Sequence, residues 1–204
     1  MRKTFWDVPR ERLRPTLTVL SACFVLGGLL GCLLAAYVSA GGEDALSVYL
    51  DTYITAIRAG TLNAPDPLAA LWENLRYCTI CALFGFTALG AFLIPALFLA
   101  RGFLLTFAMA SLVRRLGTGG LLLSFAALGI PSVMTVPPLF LLGVQGFLTA
   151  RRMAGLETGE RGRGAVYGRV YLRCVALCAA MGFLAFLYEY RLAPLLLGSF
   201  AQYF

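Results

Sequence analysis

An uncharged run from Gly119 to Ala150 constrains this chain most strongly, because so long an apolar stretch needs lipid or protein around it. Three prolines interrupt the run: Pro131, Pro137 and Pro138. Each removes a backbone donor, and a bilayer offers no water to the carbonyl groups that are freed. The run therefore predicts a broken span in the interior of a helix bundle, with the hydroxyls of Ser132 and Thr135 near enough in sequence to help.

The composition identifies lipid as the main solvent. Hydrophobic residues make up 60% of the 204 residues and charged ones 13%, with a mean hydropathy of +0.81. Soluble domains are about 45–50% apolar and about 25% charged. We therefore predict an all-α, polytopic integral membrane helix bundle in a single domain, with about five transmembrane helices, one short and one broken by proline.

The net charge of +7 reflects topology rather than nucleic-acid binding, because the basic residues cluster beside apolar runs. Loops rich in Lys and Arg stay in the cytoplasm, which predicts a cytoplasmic N-terminus and an extracytoplasmic C-terminus. The first apolar run exceeds the roughly 7–15 residues of a signal-peptide core, so an uncleaved helix is favoured. The predicted order is a cytoplasmic basic arm (1–15), span 1 (16–40), an extracytoplasmic loop (41–74), span 2 (75–100), a short segment (102–116), the broken span (119–150), a cytoplasmic basic loop (151–169), span 5 (170–190) and an extracytoplasmic tail (191–204).

The short segment Gly102–Leu116 fits two arrangements. A straight span needs about 20 residues, so the segment is either a tilted short helix with snorkelling arginines or one arm of a re-entrant hairpin. With five spans, Arg114 and Arg115 lie at an outer end, against the charge rule. The sequence leaves both arrangements open.

The loop from 41 to 74 carries an apolar stripe at helical spacing, which predicts an amphipathic helix at the outer surface. The stripe consists of Leu46, Leu50, Tyr53 and Ile57. Such a helix packs on the bundle or lies in the interface, or it binds a groove on a partner protein. These four residues are our candidates for partner binding.

All six cysteines lie within apolar segments, as small packing residues do, and not in a disulfide framework. Cys78 and Cys81 form a C-x-x-C, but a redox or metal role would need companion ligands, and the chain has no histidine. We therefore expect no metal and no cofactor. Gly27 and Gly31 form a G-x-x-x-G, for which packing within the molecule is favoured over a contact in a homo-oligomer.

A series of short features follows between Glu73 and Phe147. They are Asn74 and Arg76 at the opening of a span, Gly85 and Gly90 along it, the junction of Arg101, Gly102 and Phe103, the Gly117–Gly120 turn, Pro131 with Pro138, and Gly143 with Gly146. In this order and spacing the chain resembles the stage II sporulation protein M family of polytopic membrane proteins. Our candidate structural and functional core takes part of this series together with two hydroxyl residues; it consists of Asn74, Arg76, Arg101, Gly102, Pro131, Ser132, Thr135, Pro138, Gly143 and Gly146.

The resemblance implies a function in engulfment. Sporulation members of the family are described as membrane scaffolds that recruit, with two partners, a peptidoglycan-degrading complex at the septum. Broader relatives often carry His and Glu between the two prolines, where this chain has Ser132 and Val136. The departure removes an ionisable pair from the break and favours a scaffold over an enzyme.

We therefore expect a non-enzymatic scaffold without catalytic residues. Its expected partners are membrane lipids and extracytoplasmic cell-wall-remodelling proteins, and not nucleic acid. Enzymatic chemistry would need titratable groups converging in a pocket, whereas the charged residues of the spans, Arg101, Arg114, Arg115 and Glu189, fall near predicted span ends. The alternative is a small-solute or lipid transporter, in which the broken helix and Arg101 would face a cavity with Ser132 and Thr135.

Overall fold

The computed structural model describes residues 10–41, 67–154 and 169–192. These residues form five long helices: α1 (Arg10–Gly41), α2 (Pro67–Gly85), α3 (Gly90–Ser124), α4 (Ile130–Met153) and α5 (Arg169–Leu187). A π-helical turn follows α3 at Phe125–Gly129, and another follows α5 at Tyr188–Leu192. The described residues include no β-strand, and the predicted all-α helix bundle is confirmed.

Consecutive helices alternate in direction. α1, α3 and α5 run one way, and α2 and α4 run back between them, as the residues in contact show. Between α1 and α3 these pairs are Gly27 with Leu99 and Gly31 with Phe103; between α3 and α4, Phe98 with Gly143 and Ile94 with Gly146; between α2 and α5, Leu75 with Gly182 and Ala82 with Tyr171. Gly85 of α2 also lies against Gly146 of α4, so α2 and α4 run in parallel.

The alternation gives the bundle two distinct ends. The start of α1, the turn between α2 and α3, the end of α4 and the start of α5 lie at one end, which we call the basic end. Most of the 17 Lys and Arg residues belong to this end or to the segments joined to it. The opposite end, called the far end, contains the end of α1, the start of α2 and the turn Tyr188–Leu192.

The helix limits between residues 75 and 116 differ from those predicted. The chain turns at 86–89, and α3 then continues through Arg101 and Gly102 without a break. The predicted helix boundary at Arg101 is wrong, because a single arginine favours a helix and does not end one. The segment Gly102–Leu116 therefore continues the helix that begins at Gly90, and it is not a separate element. α1 and α2 also begin earlier than predicted, at Arg10 and Pro67.

Among the residues that the structure describes, four helical stretches are long and apolar enough to cross a membrane. They are Leu13–Tyr37, Gly90–Arg114, Gly117–Arg151 and Tyr171–Arg191. The sequence predicted about five spans. The difference is α2, which carries Glu73 and Arg76 and does not meet the same criterion, although it runs through the bundle beside the others. The stripe from Leu46 to Ile57 lies outside the described residues.

Gly117 changes the course of the chain between the first part of α3 and α4. Its φ of 61° and ψ of −132° are not helical. L-residues with a Cβ avoid positive φ, so glycine is the residue suited to this turn. The turn lets α4 pack antiparallel to the first part of α3.

The contact between α1 and α3 depends on glycines, which have no side chain. A Cβ on Gly27 would clash with the carbonyl oxygen of Leu99, and one on Gly102 would clash with the carbonyl oxygen of Phe24. Small residues allow the backbones of membrane helices to approach this closely. The G-x-x-x-G of α1 is therefore used within the molecule, as the sequence analysis favoured.

The proline-interrupted run is less broken than predicted, because α4 stays helical through all three prolines. The irregularity precedes Pro131: the N–H of Ile130 donates to the carbonyl of Phe125, one residue further back than in an α-helix. Ala126 O thus loses Ile130 as a donor, and the next residue, Pro131, has no N–H. The hydroxyl of Tyr188 donates to Ala126 O instead, at 3.0 Å.

The predicted interior position of this run is correct for one face of the helix. Pro131, Ser132 and Pro138 are buried. Pro137 is exposed, and Val133 is 70% exposed, so these two residues lie on the outer surface of the bundle. The prolines therefore lie on both faces of a helix whose inner side alone is covered by protein.

Candidate functional site inside the bundle

A hydrogen bond between two side chains joins α2 to the π-helical turn Tyr188–Leu192. Asn74 Nδ2 donates a hydrogen bond of 2.7 Å to Glu189 Oε2 and one of 3.1 Å to the carbonyl of Ala70. Both side chains are half-buried. Glu189 also interacts electrostatically with Arg101 and Glu73. An acid within an apolar span is expensive to bury, and here an amide donor and a cation compensate for the lost hydration.

Arg101 lies next to this contact, in the middle of a span and not at its end as predicted. At a rise of about 1.5 Å per residue it is about 16 Å along α3 from Gly90, roughly half of a hydrocarbon core of about 30 Å. Its guanidinium carbon lies 4.3 Å from the centre of the Tyr77 ring. A cation–π contact of this kind stabilises a charge that has lost water.

Tyr77 contacts a second arginine of the same region. The guanidinium carbon of Arg76 lies 4.9 Å from the ring centre, and Arg76 Nη2 donates to the Tyr77 hydroxyl at 3.3 Å. Arg76 Nε is buried without a hydrogen-bond partner in the described structure. Both arginines are thus oriented by one aromatic ring, which explains why two like charges are tolerated near the interior of the bundle.

A small cavity lies at the centre of this group. It is lined by Asn74, Tyr77, Cys78, Arg101, Thr135, Leu139 and Cys178. Its volume is about 10 Å³, close to the minimum that a single water needs. The cavity lies where α2, α3, α4 and α5 meet, so its walls contain both polar groups and packed apolar side chains.

The predicted core residues fall into two groups. Asn74, Arg76, Arg101 and Thr135 come together around Tyr77 and the cavity. The others serve packing or helix geometry. Gly102 contacts the backbone of α1, Gly143 the ring of Phe98, and Gly146 the backbone of Gly85; Pro131, Ser132 and Pro138 are buried in α4.

The Oγ1 of Thr135 donates to the carbonyl of Pro131 at 2.9 Å. In an α-helix that carbonyl accepts from the N–H of Thr135 itself, so it is not one of the carbonyls that the prolines free, and the help expected from Thr135 is not found. Tyr77, Cys178 and Tyr188 were not predicted from the sequence, and Glu189 was predicted to lie at a span end. An acid inside an apolar run could have identified Glu189 from sequence. The others become neighbours of the site only through packing between helices.

The chain is thus a multi-pass helical membrane protein with a cluster of polar side chains inside its bundle. A family model described as stage II sporulation protein M matches residues 20–194, which is most of the chain. The chain therefore belongs to the stage II sporulation protein M family. No curated protein and no solved structure matches it.

Proposed function

We propose that this chain is a non-enzymatic membrane scaffold that anchors extracytoplasmic cell-wall-remodelling proteins at the septal membrane during engulfment in sporulation. Family membership supports a membrane protein of sporulation. The observation that carries the more specific proposal is the two-ended bundle. The end of α1 and the start of α2 both lie at the far end, so residues 42–66 connect these two helices opposite to the basic end.

The charge distribution assigns the two ends to the two sides of the membrane in this proposal. Segments rich in Lys and Arg stay in the cytoplasm, and these belong to the basic end. The far end is then extracytoplasmic, together with residues 42–66 and the segment after Leu192. The segment 42–66 would present the stripe of Leu46, Leu50, Tyr53 and Ile57 to partner proteins.

The interior of the described bundle supports an anchor better than a transport path. The transporter alternative places Arg101, Ser132 and Thr135 on a cavity, and Arg101 and Thr135 do line one. That cavity has a volume of about 10 Å³, however, and drug-sized ligand pockets have about 300–1,000 Å³. Reconstituted vesicles that move a solute through this chain would favour the alternative.

The test uses charge substitutions on the predicted amphipathic helix. Leu50→Asp and Ile57→Asp place charges on the apolar stripe, and we expect at least a tenfold loss of partner proteins in pull-downs from engulfing cells. Thr55→Asp is the matched control, because helical spacing puts Thr55 opposite the stripe. The control should retain the partners, and all three variants should be found in the membrane fraction. Undiminished recovery with the stripe variants would contradict the proposal.

A further inference from the structure

One face of α2 is exposed, although the helix runs through the bundle beside the others. The side chains of this face recur every three or four residues and are Ala69, Trp72, Arg76, Thr79 and Leu83; Arg76 is half-buried and the rest are exposed. Trp72 and Leu83 are each 59% exposed. This spacing aligns side chains along a helix, and it is the a and d pattern by which two helices pack in a coiled coil. We call these five residues the α2 stripe.

The α2 stripe carries charge at its centre. Arg76 is the middle residue of the stripe, and the exposed Glu73 flanks it one helical turn earlier. In the described part of the chain neither residue forms an ion pair, and nothing donates to the Glu73 carboxylate. Arg76 is turned onto the ring of Tyr77, and its Nε has no hydrogen-bond partner among the same residues. The described bundle thus leaves one acid and one base on this face without a counter-charge.

The neighbouring helix places both charges at the depth of the hydrocarbon core. Leu75 lies between them in the sequence and contacts Gly182, in the middle of the apolar stretch Tyr171–Arg191. At about 1.5 Å per residue, Glu73 is about 18 Å and Arg76 about 14 Å along α2 from its end at the basic end. A hydrocarbon core is about 30 Å thick, so neither residue is at a membrane surface. Charged side chains at this depth are expensive in lipid and almost always pair with one another.

We propose that the α2 stripe is the interface of a homodimer, in which α2 of a second copy packs against it in parallel. Two copies inserted in the same orientation are related by a two-fold axis along the membrane normal, so equal residues lie at equal depth. Glu73 of each copy is then one helical turn from Arg76 of the other copy, which allows two ion pairs between the chains. The stripe is therefore complementary to itself in charge.

Charge also distinguishes a second copy from other coverings of the stripe. A lipid tail would leave both charges unpaired. Residues 193–204 follow the turn that contacts Asn74, but they contain no charged side chain and supply no counter-charge. Helical spacing puts Asn74 on the opposite face of α2 from the stripe, so the dimer leaves its bond to Glu189 intact. The pairing of α2 helices does not depend on the proposed scaffold function.

The first experiment detects the second copy and its position in the full chain. Two differently tagged forms are co-expressed and extracted in mild detergent; capture of one tag should recover the other at least tenfold above forms mixed after extraction. Ala69→Cys, on the stripe, should give a disulfide-linked dimer with copper phenanthroline. Ala96→Cys, exposed on α3, is the matched control and should give no more dimer than the parent chain. A chain that is monomeric in the capture, or equal cross-linking at the two positions, would overturn the proposal.

The second experiment tests the ion pairs by reversing charges. Glu73→Lys and Arg76→Glu should each reduce self-association at least tenfold, because like charges then face each other. Co-expressed with one another, these two variants have opposite charges on the stripe and should associate as the parent chain does. Arg114→Glu, exposed on α3, is the control and should associate normally.

The combined variants keep this test independent of folding defects. Restored association in the mixed pair requires that both variants are folded, and it would support the ion pairs. Normal self-association of both single variants would contradict them, and so would a mixed pair that stays apart while both variants accumulate in the membrane at parent levels. If either variant fails to accumulate, cross-linking of Ala69→Cys against Ala96→Cys decides whether the stripe is the interface.

Discussion

The interface between α1 and α3 and the attachment of the last turn, Tyr188–Leu192, differ in what mainly stabilises them. α1 and α3 touch through their backbones at glycines that leave no side chain between them, and one hydrogen bond, from Thr106 Oγ1 to the carbonyl of Gly28 at 2.8 Å, is added to this contact. The last turn is held by two directed side-chain bonds, from Asn74 to Glu189 and from Tyr188 to the carbonyl of Ala126. Within a membrane the first mode depends on shape and the second on polar groups that lack water.

This difference in packing determines where the chain tolerates substitutions. Close backbone packing fails as soon as an atom is added, since neither backbone can move without moving its whole helix. A hydrogen bond between side chains can be lost while the surrounding packing survives. Substitutions should therefore have large effects between α1 and α3 and graded effects around the last turn.

The largest effect is expected for Gly27→Leu. The side chain would have to occupy the space of the Leu99 carbonyl, so α1 must separate from α3. Overpacking of a well-packed interior costs about 1–3 kcal/mol and occasionally more; here we expect at least about 3 kcal/mol because backbone is the obstacle. Thermal unfolding in detergent and the yield of monodisperse protein measure it.

Ala22→Leu is the control for this substitution, because Ala22 lies on the exposed face of the same helix. It adds similar bulk without meeting α3 and should unfold like the parent protein. If Gly27→Leu proved as stable as Ala22→Leu, α1 would not be held to α3 by backbone contact.

An intermediate effect is expected for Asn74→Ala. It removes the donor to Glu189 Oε2 and leaves that carboxyl group without its 2.7 Å partner. Hydrogen bonds to charged groups contribute about 1.5–3 kcal/mol, and we expect a loss in unfolding free energy of about 2 kcal/mol. Thr79→Ala, on the exposed face of the same helix, should cost much less, since Thr79 bonds only to the carbonyl of Leu75.

A double-mutant cycle sharpens this prediction. If the contact acts as a pair, Asn74→Ala should cost less in a Glu189→Leu background than in the parent chain. Additive losses of unfolding free energy, measured by denaturation, would show that the two side chains stabilise the bundle separately. They would also indicate that packing, as between α1 and α3, attaches the last turn more than its hydrogen bonds do.

The fold class could be predicted from the sequence, because the composition and the length of the apolar runs indicate that lipid surrounds most of the chain. The candidate site was partly predicted, since Asn74, Arg101 and Thr135 were named and do line one cavity. The helix limits near Arg101 were wrong, because a charge was taken as a span end. A partner such as the ring of Tyr77 can hold an arginine in the middle of a helix, and this depends on the neighbouring helix.

The partners supplied by the turn Tyr188–Leu192 could not be predicted in the same way. Glu189 meets Asn74 from 115 residues away, and Tyr188 meets Ala126 from 62 residues away. Periodicity within one helix identifies its buried face but not the residue it faces on another helix. The carbonyl of Ala126, which lacks a backbone donor before Pro131, is therefore satisfied by a distant tyrosine that the sequence could not identify.

The smallest effect is expected for Tyr188→Phe, which tests that answer. The ring stays, but the hydroxyl that donates to Ala126 O at 3.0 Å is lost, and neither Ile130 nor Pro131 can donate in its place. A buried carbonyl left without a donor costs about 1–3 kcal/mol, and bonds between helices in membranes are at the weaker end, so we expect about 1 kcal/mol. Tyr37→Phe is the matched control, because Tyr37 is 76% exposed.

Replacing Pro131 by alanine should reduce the cost of Tyr188→Phe, since a backbone N–H becomes available next to Ala126. If the cost of Tyr188→Phe in thermal unfolding were the same with and without Pro131, the tyrosine would not be compensating for the proline.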